Sequence, residues 1–263
     1  MFLLVVGDVH GRPGRRILKE RLPRLRSRYD ARFVVANGEN AAGGAGLNRE
    51  VAQEILAAGV DVITGGNHIW QHRDAFELLD EEPRIIRPLN YPPGVPGRGT
   101  TVITSKDGIP VAVLNLQGRV FMPEVDDPFR TVRAEVEGLR ERARVIVLDF
   151  HAEATSEKIA MGWYLDGKVS ALIGTHTHVQ TADERILPQG TAYISDVGMT
   201  GPRDGVIGMD RARILERFLT GLPVRFEVAS GPAQLNAVAV DVDEESGQAR
   251  RIERILEVDG RAD

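Results

Sequence analysis

Repeatedly along this chain, an apolar run of strand length stops at a glycine or an irregular step and hands over to a residue able to bind a metal. Residues 2–6 lead to Asp8, 33–36 to Glu39, 60–64 to Asn67, 144–150 to His151, and 169–173 to His176 and His178. Such short, continuously apolar runs read as buried strands. In a parallel α/β sheet the carboxyl ends of the strands share an edge, and ligands bind outside that edge. Residues scattered over most of the chain are therefore expected to converge. Glycines at 7, 38, 66 and 174 let the backbone come close at several of these steps.

The intervening segments supply the helices. A basic run over residues 12–28 carries leucines at 18, 22 and 25 with Tyr29 beyond, which is helical spacing with the charges on the remaining faces. It reads as a solvated helix surface, with a phosphate-binding patch as the alternative. Asn48 is a candidate N-cap for a helix ended by Gly59. Further helices are expected over 70–79, 131–142, 156–165 and 209–219. Strands are expected at 100–104 and 110–116, joined by a turn containing Asp107 and Gly108. Others are expected at 185–187, 192–195, 226–228, 234–242 and 250–258, and glycine-rich loops at 41–46 and 196–208. No linker or repeat interrupts the chain, so a single domain over 1–263 is expected, α/β at first and strand-rich at its end.

Composition narrows the chemistry. There is no cysteine, so any metal must be held by nitrogen and oxygen. The formal net charge of -5 argues against a partner such as long nucleic acid, whose binding relies on cationic side chains. No apolar run is long enough to cross a bilayer, and the first strand begins almost at Met1 without a signal-peptide pattern. No membrane partner and a cytoplasmic location are expected. The sequence leaves open whether copies associate as a homo-oligomer.

If residues 175–178 continue extended, His176 and His178 point to the same side, because side chains alternate along a strand. Two carboxylates, amides and three imidazoles are too rich a set for one tetrahedral zinc. They suit two divalent ions of five or six coordination with a carboxylate between them. Such a pair stabilises both the attacking and the leaving oxygen of an in-line displacement, and a bridging hydroxide is then the expected nucleophile.

The segments Gly7 to His10, Gly66 to His68, His151 and Gly174 to His178 resemble the signature blocks of the calcineurin-like metallophosphoesterases. Asn37 to Asn40, Asp149 to Glu153, Gly174 to Gln180 and Ser195 to Pro202 resemble the YmdB-type branch in particular. The resemblance spans nearly the whole chain. It implies an α/β/β/α sandwich of two mixed sheets, and hydrolysis of small 2′,3′-cyclic nucleotides to 3′-nucleotides. It assigns Asp8, Glu39, Asn40 and His178 to one metal, and Glu39 as bridge with Asn67, His151 and His176 to the other. His68 becomes the proton donor to the departing 2′-oxygen. The chain departs from the wider superfamily in having Glu39 where an aspartate is usual. It also offers His10 where the superfamily has a ligand; Asn40 is preferred, with His10 in an outer shell. The donors suit two divalent or mixed-valence ions, iron before manganese.

Blander roles stand beside these. Asp8 could cap a turn, Glu39 and Asn40 could bond within a loop, Asn67 could cap the following helix, and His68 could be structural. His72 reads as a helix-surface histidine. Glu153 and Asp196 could orient a ligand imidazole or serve ordinary turns. The alternative activities are a phosphomonoesterase or an RNA-directed phosphodiesterase. A regulatory metal-binding protein that works through partners is the non-enzymatic alternative.

Overall fold

The computed structural model describes residues 1–260. In chain order the elements are β1 (Phe2–Val6), β2 (Asp8–Val9), α1 (Gly11–Tyr29), β3 (Ala31–Asn37), α2 (Arg49–Ala57), β4 (Val62–Thr64) and α3 (Asp74–Glu81). Next come β5 (Thr100–Thr104), β6 (Pro110–Gln117), α4 (Pro128–Arg140), β7 (Val145–His151), α5 (Thr155–Leu165) and β8 (Ala171–Thr175). The chain finishes with β9 (Arg185–Ile186), β10 (Ala192–Ile194), β11 (Met199–Pro202), α6 (Arg211–Thr220), β12 (Ala233–Val242) and β13 (Ala249–Val258).

A seven-stranded sheet runs β2–β11–β12–β1–β3–β4, with β13 also paired to β12. Within it β1, β3 and β4 are parallel, while β12 runs antiparallel to β1, β11 and β13. A six-stranded sheet runs β5–β6–β7–β8–β10–β9, parallel from β6 to β10 and antiparallel at both edges. The Asp107–Gly108 turn joins β5 to β6 as expected.

Alternation along the apolar strands builds four layers. Leu4, Val6, Val34 and Ala36 face Leu18, Leu22, Ile55 and Leu79 of the first three helices. Their neighbours Leu3, Val5, Phe33 and Val35 turn inward against Val111, Val113, Val145, Val147, Ala171 and Ile173 of the second sheet. The opposite face of that sheet, with Leu114, Ile146, Leu148 and Leu172, packs on Val132, Val136, Met161 and Leu165 of α4 and α5. Strands apolar on both faces are what a sheet covered on both sides requires. This is the expected α/β/β/α sandwich of two mixed sheets. Many of its strand side chains are wholly buried, and emptying one such Leu or Ile site costs about 2–5 kcal/mol.

Local expectations hold where capping chemistry is explicit. Asn48 accepts from the Val51 amide, and Gly59 leaves the helix end at φ 107°. The basic face of α1 is used in ion pairs: Arg15 with Glu54, Arg16 with Glu20 and Asp259, Arg26 with Asp61. These favour the surface reading of the run.

Three segments differ. The helix expected from 70 begins at Asp74, because the Glu39 carboxylate captures the His68 amide and folds 66–71 into turns. Residues 226–228 form only a single bridge, Val228 to Met209. The glycine-rich 196–208 segment contains β11, whose Met199 and Thr200 pair with Asp8 and Val9. That strand is made by a distant partner rather than by its own propensity.

Candidate metal centre

The carboxyl ends of both sheets meet at a common rim. From the first sheet come Asp8 in β2, Glu39 and Asn40 just past β3, and Asn67 and His68 past β4. From the second come His151 at the end of β7 and His176 and His178 past β8. The expected residues are thus brought together across two sheets rather than along one.

Around His151 the packing is unusually polar. Its Nε2 lies 3.0 Å from His176 Nδ1, 3.1 Å from Asn67 Oδ1 and 3.2 Å from Glu39 Oε1. Ligand atoms of Glu39, His151 and His176 all lie within 4.8 Å of one another. Metal–ligand bonds of about 2.1 Å put adjacent donors on an octahedron about 3.0 Å apart. The spacing therefore fits donors gathered round a cation. Gly66 keeps the space open, since a Cβ there would stand 2.2 Å from Glu39 Oε2 and 2.4 Å from His151 Nε2. Asn67 caps no helix, for α3 starts seven residues later and its cap position, Arg73, makes no side-chain bond.

A second group lies beside it. Asp8 is wholly buried, its Oδ2 accepts the His176 amide at 3.2 Å, and its Oδ1 has no hydrogen-bond partner among the described residues. A turn cap would have used that oxygen. His178 donates from Nδ1 to Ile207 O at 2.8 Å, which frees Nε2 to act as a ligand 3.8 Å from Asp8 Oδ1. Asn40 presents Nδ2 to His178 Nε2 at 3.2 Å and to Glu39 Oε1 at 3.0 Å. Its Oδ1 meets His68 Nδ1 at 2.8 Å, so the atom wanted for a metal faces away from His178. Turning the amide over would bring that oxygen inward. His10 packs edge-on to His178, with ring centroids 5.5 Å apart, and both its ring nitrogens are buried without partners among the described residues. Asn40 and His10 thus both stay in reach of this group.

The expectation that 175–178 runs on as a strand is corrected. β8 ends at Thr175, and His176 and His178 adopt φ 101° and 66°. The cause is capture of successive amides by carboxylates, His176 N by Asp8 and Thr177 N by Asp196. The two imidazoles consequently diverge, His176 towards His151 and His178 towards Asp8.

The protonation equilibria are set against one another. Burial disfavours charge on His151, but the Glu39 carboxylate outweighs it and pushes the imidazole up to about 9. Burial also raises Glu39, yet His151 and His68 overcome this and hold it well below the usual carboxylate range. Burial lifts Asp8 to about 6 and depresses His176 to about 3, with His151 adding to the latter. Burial and His178 likewise bring His10 to about 3. His68, bonded to Glu39, is raised. A cluster of buried lone-pair donors with two carboxylates is the environment in which a divalent cation replaces protons.

Several supporting residues were not anticipated. Asp149 accepts from Asn37, Thr64 and Thr175, and Lys158 is buried against Asp196. A charged residue inside the apolar run of β7 is the sequence signal for the first; helical periodicity gave none for the second. Glu153 meets His176 Nε2 at 3.1 Å and so does orient an imidazole. Asp196 works through Thr177, accepting from its amide and hydroxyl. His72 lies ahead of α3 and contacts Ala45 O at 3.1 Å, tying down the 41–46 loop. A cavity of about 360 Å³ opens on the cluster, with Gly44, Ile207 and Met209 in its wall.

The sequence matches the family described as YmdB-like protein over residues 4–255. It is 52% identical over 256 residues to the 2′,3′-cyclic-nucleotide 2′-phosphodiesterase of Bacillus subtilis (strain 168), covering 97% of each chain. A solved structure of a Thermus thermophilus protein superimposes with TM-score 0.92 at 43% identity, over 98% of this chain and 99% of that one. A novel phosphatase from Mycoplasma pneumoniae also superimposes with TM-score 0.92, at 36% identity over 98% of this chain and 93% of its own.

Proposed function

This chain belongs to the YmdB-like family, and from that premise we propose that it is a metal-dependent phosphodiesterase converting 2′,3′-cyclic nucleotides to 3′-nucleotides. The observation that carries the reading is the crowding of Glu39, Asn67 and His176 within about 3 Å of His151 Nε2, beside a second buried carboxylate, Asp8. Asp8, Glu39, Asn40 and His178 would hold one ion; Glu39, Asn67, His151 and His176 would hold the other. Oxygen donors with three imidazoles suit iron or manganese. When bound, such a pair supplies Lewis acidity to the phosphoryl group and lowers the pKa of water.

The chain's own groups account for the remaining needs. Glu39, wholly buried and held anionic, can face both cations at once. His68 is the proton donor to the departing 2′-oxygen. Its ring is 40% exposed toward the cavity, its Nδ1 is engaged by Asn40, and Glu39 favours its protonated form. A general acid needs a proton to give near neutral pH, and such a group contributes about 10²–10⁴ in rate. The cavity of about 360 Å³ is of a size for a mononucleotide. No helix among the described residues is long and apolar enough to cross a membrane, and the cytoplasm is the compartment we assign.

The test is a comparison of 2′,3′-cyclic AMP, 3′,5′-cyclic AMP and a nucleoside monophosphate with the metal-loaded protein. Preferential opening of the 2′,3′-cyclic ester to the 3′-nucleotide is expected. Inertness toward all three would refute the proposal, and a preference for the monophosphate would replace it with a phosphomonoesterase.

A further inference from the structure

We infer that Asp149, acting through the hydroxyl of Thr175, is the positioning residue for the ligands of the second metal, and that Thr175 fixes which nitrogen of His151 faces the cation. The inference rests on the dinuclear reading above and concerns residues that reading does not use.

The proton count is the first support. Thr175 Oγ1 donates its single hydrogen to Asp149 Oδ1 at 2.6 Å. The same oxygen lies 2.9 Å from His151 Nδ1. Having spent its proton, Oγ1 can only accept there, so Nδ1 carries the hydrogen and Nε2 is the nitrogen turned to Glu39, Asn67 and His176. Carboxylate partners of this kind commonly orient ligating imidazoles, here with a hydroxyl interposed.

The second support is where Asp149 stands. It is buried in β7; its Oδ2 accepts from Asn37 Nδ2 at 3.0 Å and from the Thr64 hydroxyl. Each donor closes a strand that delivers a ligand of the same ion. Asn37 ends β3 and accepts the Glu39 amide at 3.1 Å; Thr64 ends β4 ahead of Asn67; Thr175 ends β8 ahead of His176. His151 lies two residues beyond Asp149 in the same strand. One carboxylate thus registers four strand ends from two sheets. A carboxylate needed only to join the sheets would have no reason to reach a ligand imidazole.

The experiment uses the full chain stripped of metal and titrated with Mn²⁺ alone against a competing chelator. The parent is expected to take up two ions. Thr175→Val should weaken the second ion roughly 10–100-fold and leave the first within about threefold, while Thr175→Ser retains both. Thr64→Val, which removes a bond to Asp149 without touching an imidazole, should change the second ion by only a few-fold. The spin-coupled two-Mn²⁺ resonance signal should be lost in Thr175→Val at concentrations where the parent shows it. Should Val at 175 prevent folding, Thr175→Ala is measured in its place. Equal affinities in parent and Thr175→Val, equal weakening of both ions, or the same loss in Thr175→Ser or Thr64→Val would overturn the inference while leaving the dinuclear reading intact. A folded parent that binds fewer than two ions would overturn both.

Discussion

Replacing Lys158 by methionine should destabilise the metal-free protein by an amount the structure sets. Lys158 and Asp196 are both 2% exposed, and Nζ lies 2.8 Å from Asp196 Oδ2 and 2.8 Å from Thr175 O. Asp196 in turn accepts from Thr177 N at 3.0 Å, Thr177 Oγ1 at 2.8 Å and Gly198 N at 2.8 Å. Methionine keeps most of the aliphatic stem and removes the ammonium together with its hydrogen bonds to Asp196 and Thr175 O. Breaking a buried pair from one side costs about 3–5 kcal/mol, because the remaining charge is left buried. Asp196 retains three donors, so the lower end, about 3 kcal/mol, is expected. For a chain of this size about 2–4 °C is lost per kcal/mol, giving a fall of roughly 6–12 °C. The contact also spans the loop in which His176 and His178 hold positive φ, backbone that costs about 1–3 kcal/mol per residue and needs surrounding support. Scanning calorimetry of metal-free Lys158→Met, Asp196→Asn and the double variant measures this. The double variant should lose clearly less than the two single losses added, as partners in one network do. A melt of Lys158→Met within about 2 °C of the parent, or full additivity, would refute the reasoning.

Other perturbations probe the site itself. Gly66→Ala sets a methyl 2.2 Å from Glu39 Oε2 and 2.4 Å from His151 Nε2, so metal uptake measured by elemental analysis should fall sharply while the far-ultraviolet circular dichroism stays native. His68→Ala should keep both metals and lower kcat about 10²–10⁴-fold in steady-state kinetics; loss of the metals would show that its assigned role is wrong. In the metal-free chain His151 is held up to about 9, so below that pH a cation must displace its proton. Metal affinity should therefore rise with pH, about tenfold per unit between about pH 6 and 8 for one displaced proton. A flat profile in chelator competition would contradict this.

Much of this arrangement was legible because strand burial and ligand placement share a code. The apolar runs read at 2–6, 33–36, 60–64, 144–150 and 169–173 fall on strands that end at Val6, Asn37, Thr64, His151 and Thr175, and the residues at or just beyond each end lie at the common rim. Capping residues with explicit chemistry, such as Asn48, also read true. What escaped is what only tertiary structure creates. β11 exists because Met199 and Thr200 find Asp8 and Val9, and its own glycine and proline argue against a strand. The bend at His176 follows from carboxylates at Asp8 and Asp196, distant from it in sequence. Lys158 sits in a helix whose pattern gives no reason to bury it. Asp149 could have been suspected, since a carboxylate inside an apolar strand must find donors, but which donors depends on three other strand ends.

The central claim is that Glu39 lies between two cations. Crystals of the protein loaded with Mn²⁺ and measured for anomalous scattering test it directly. Two peaks are expected, one against Asp8 and His178 and the other against Asn67, His151 and His176, with the Glu39 carboxylate touching both. A single peak, or a pair of which Glu39 touches neither, would contradict it.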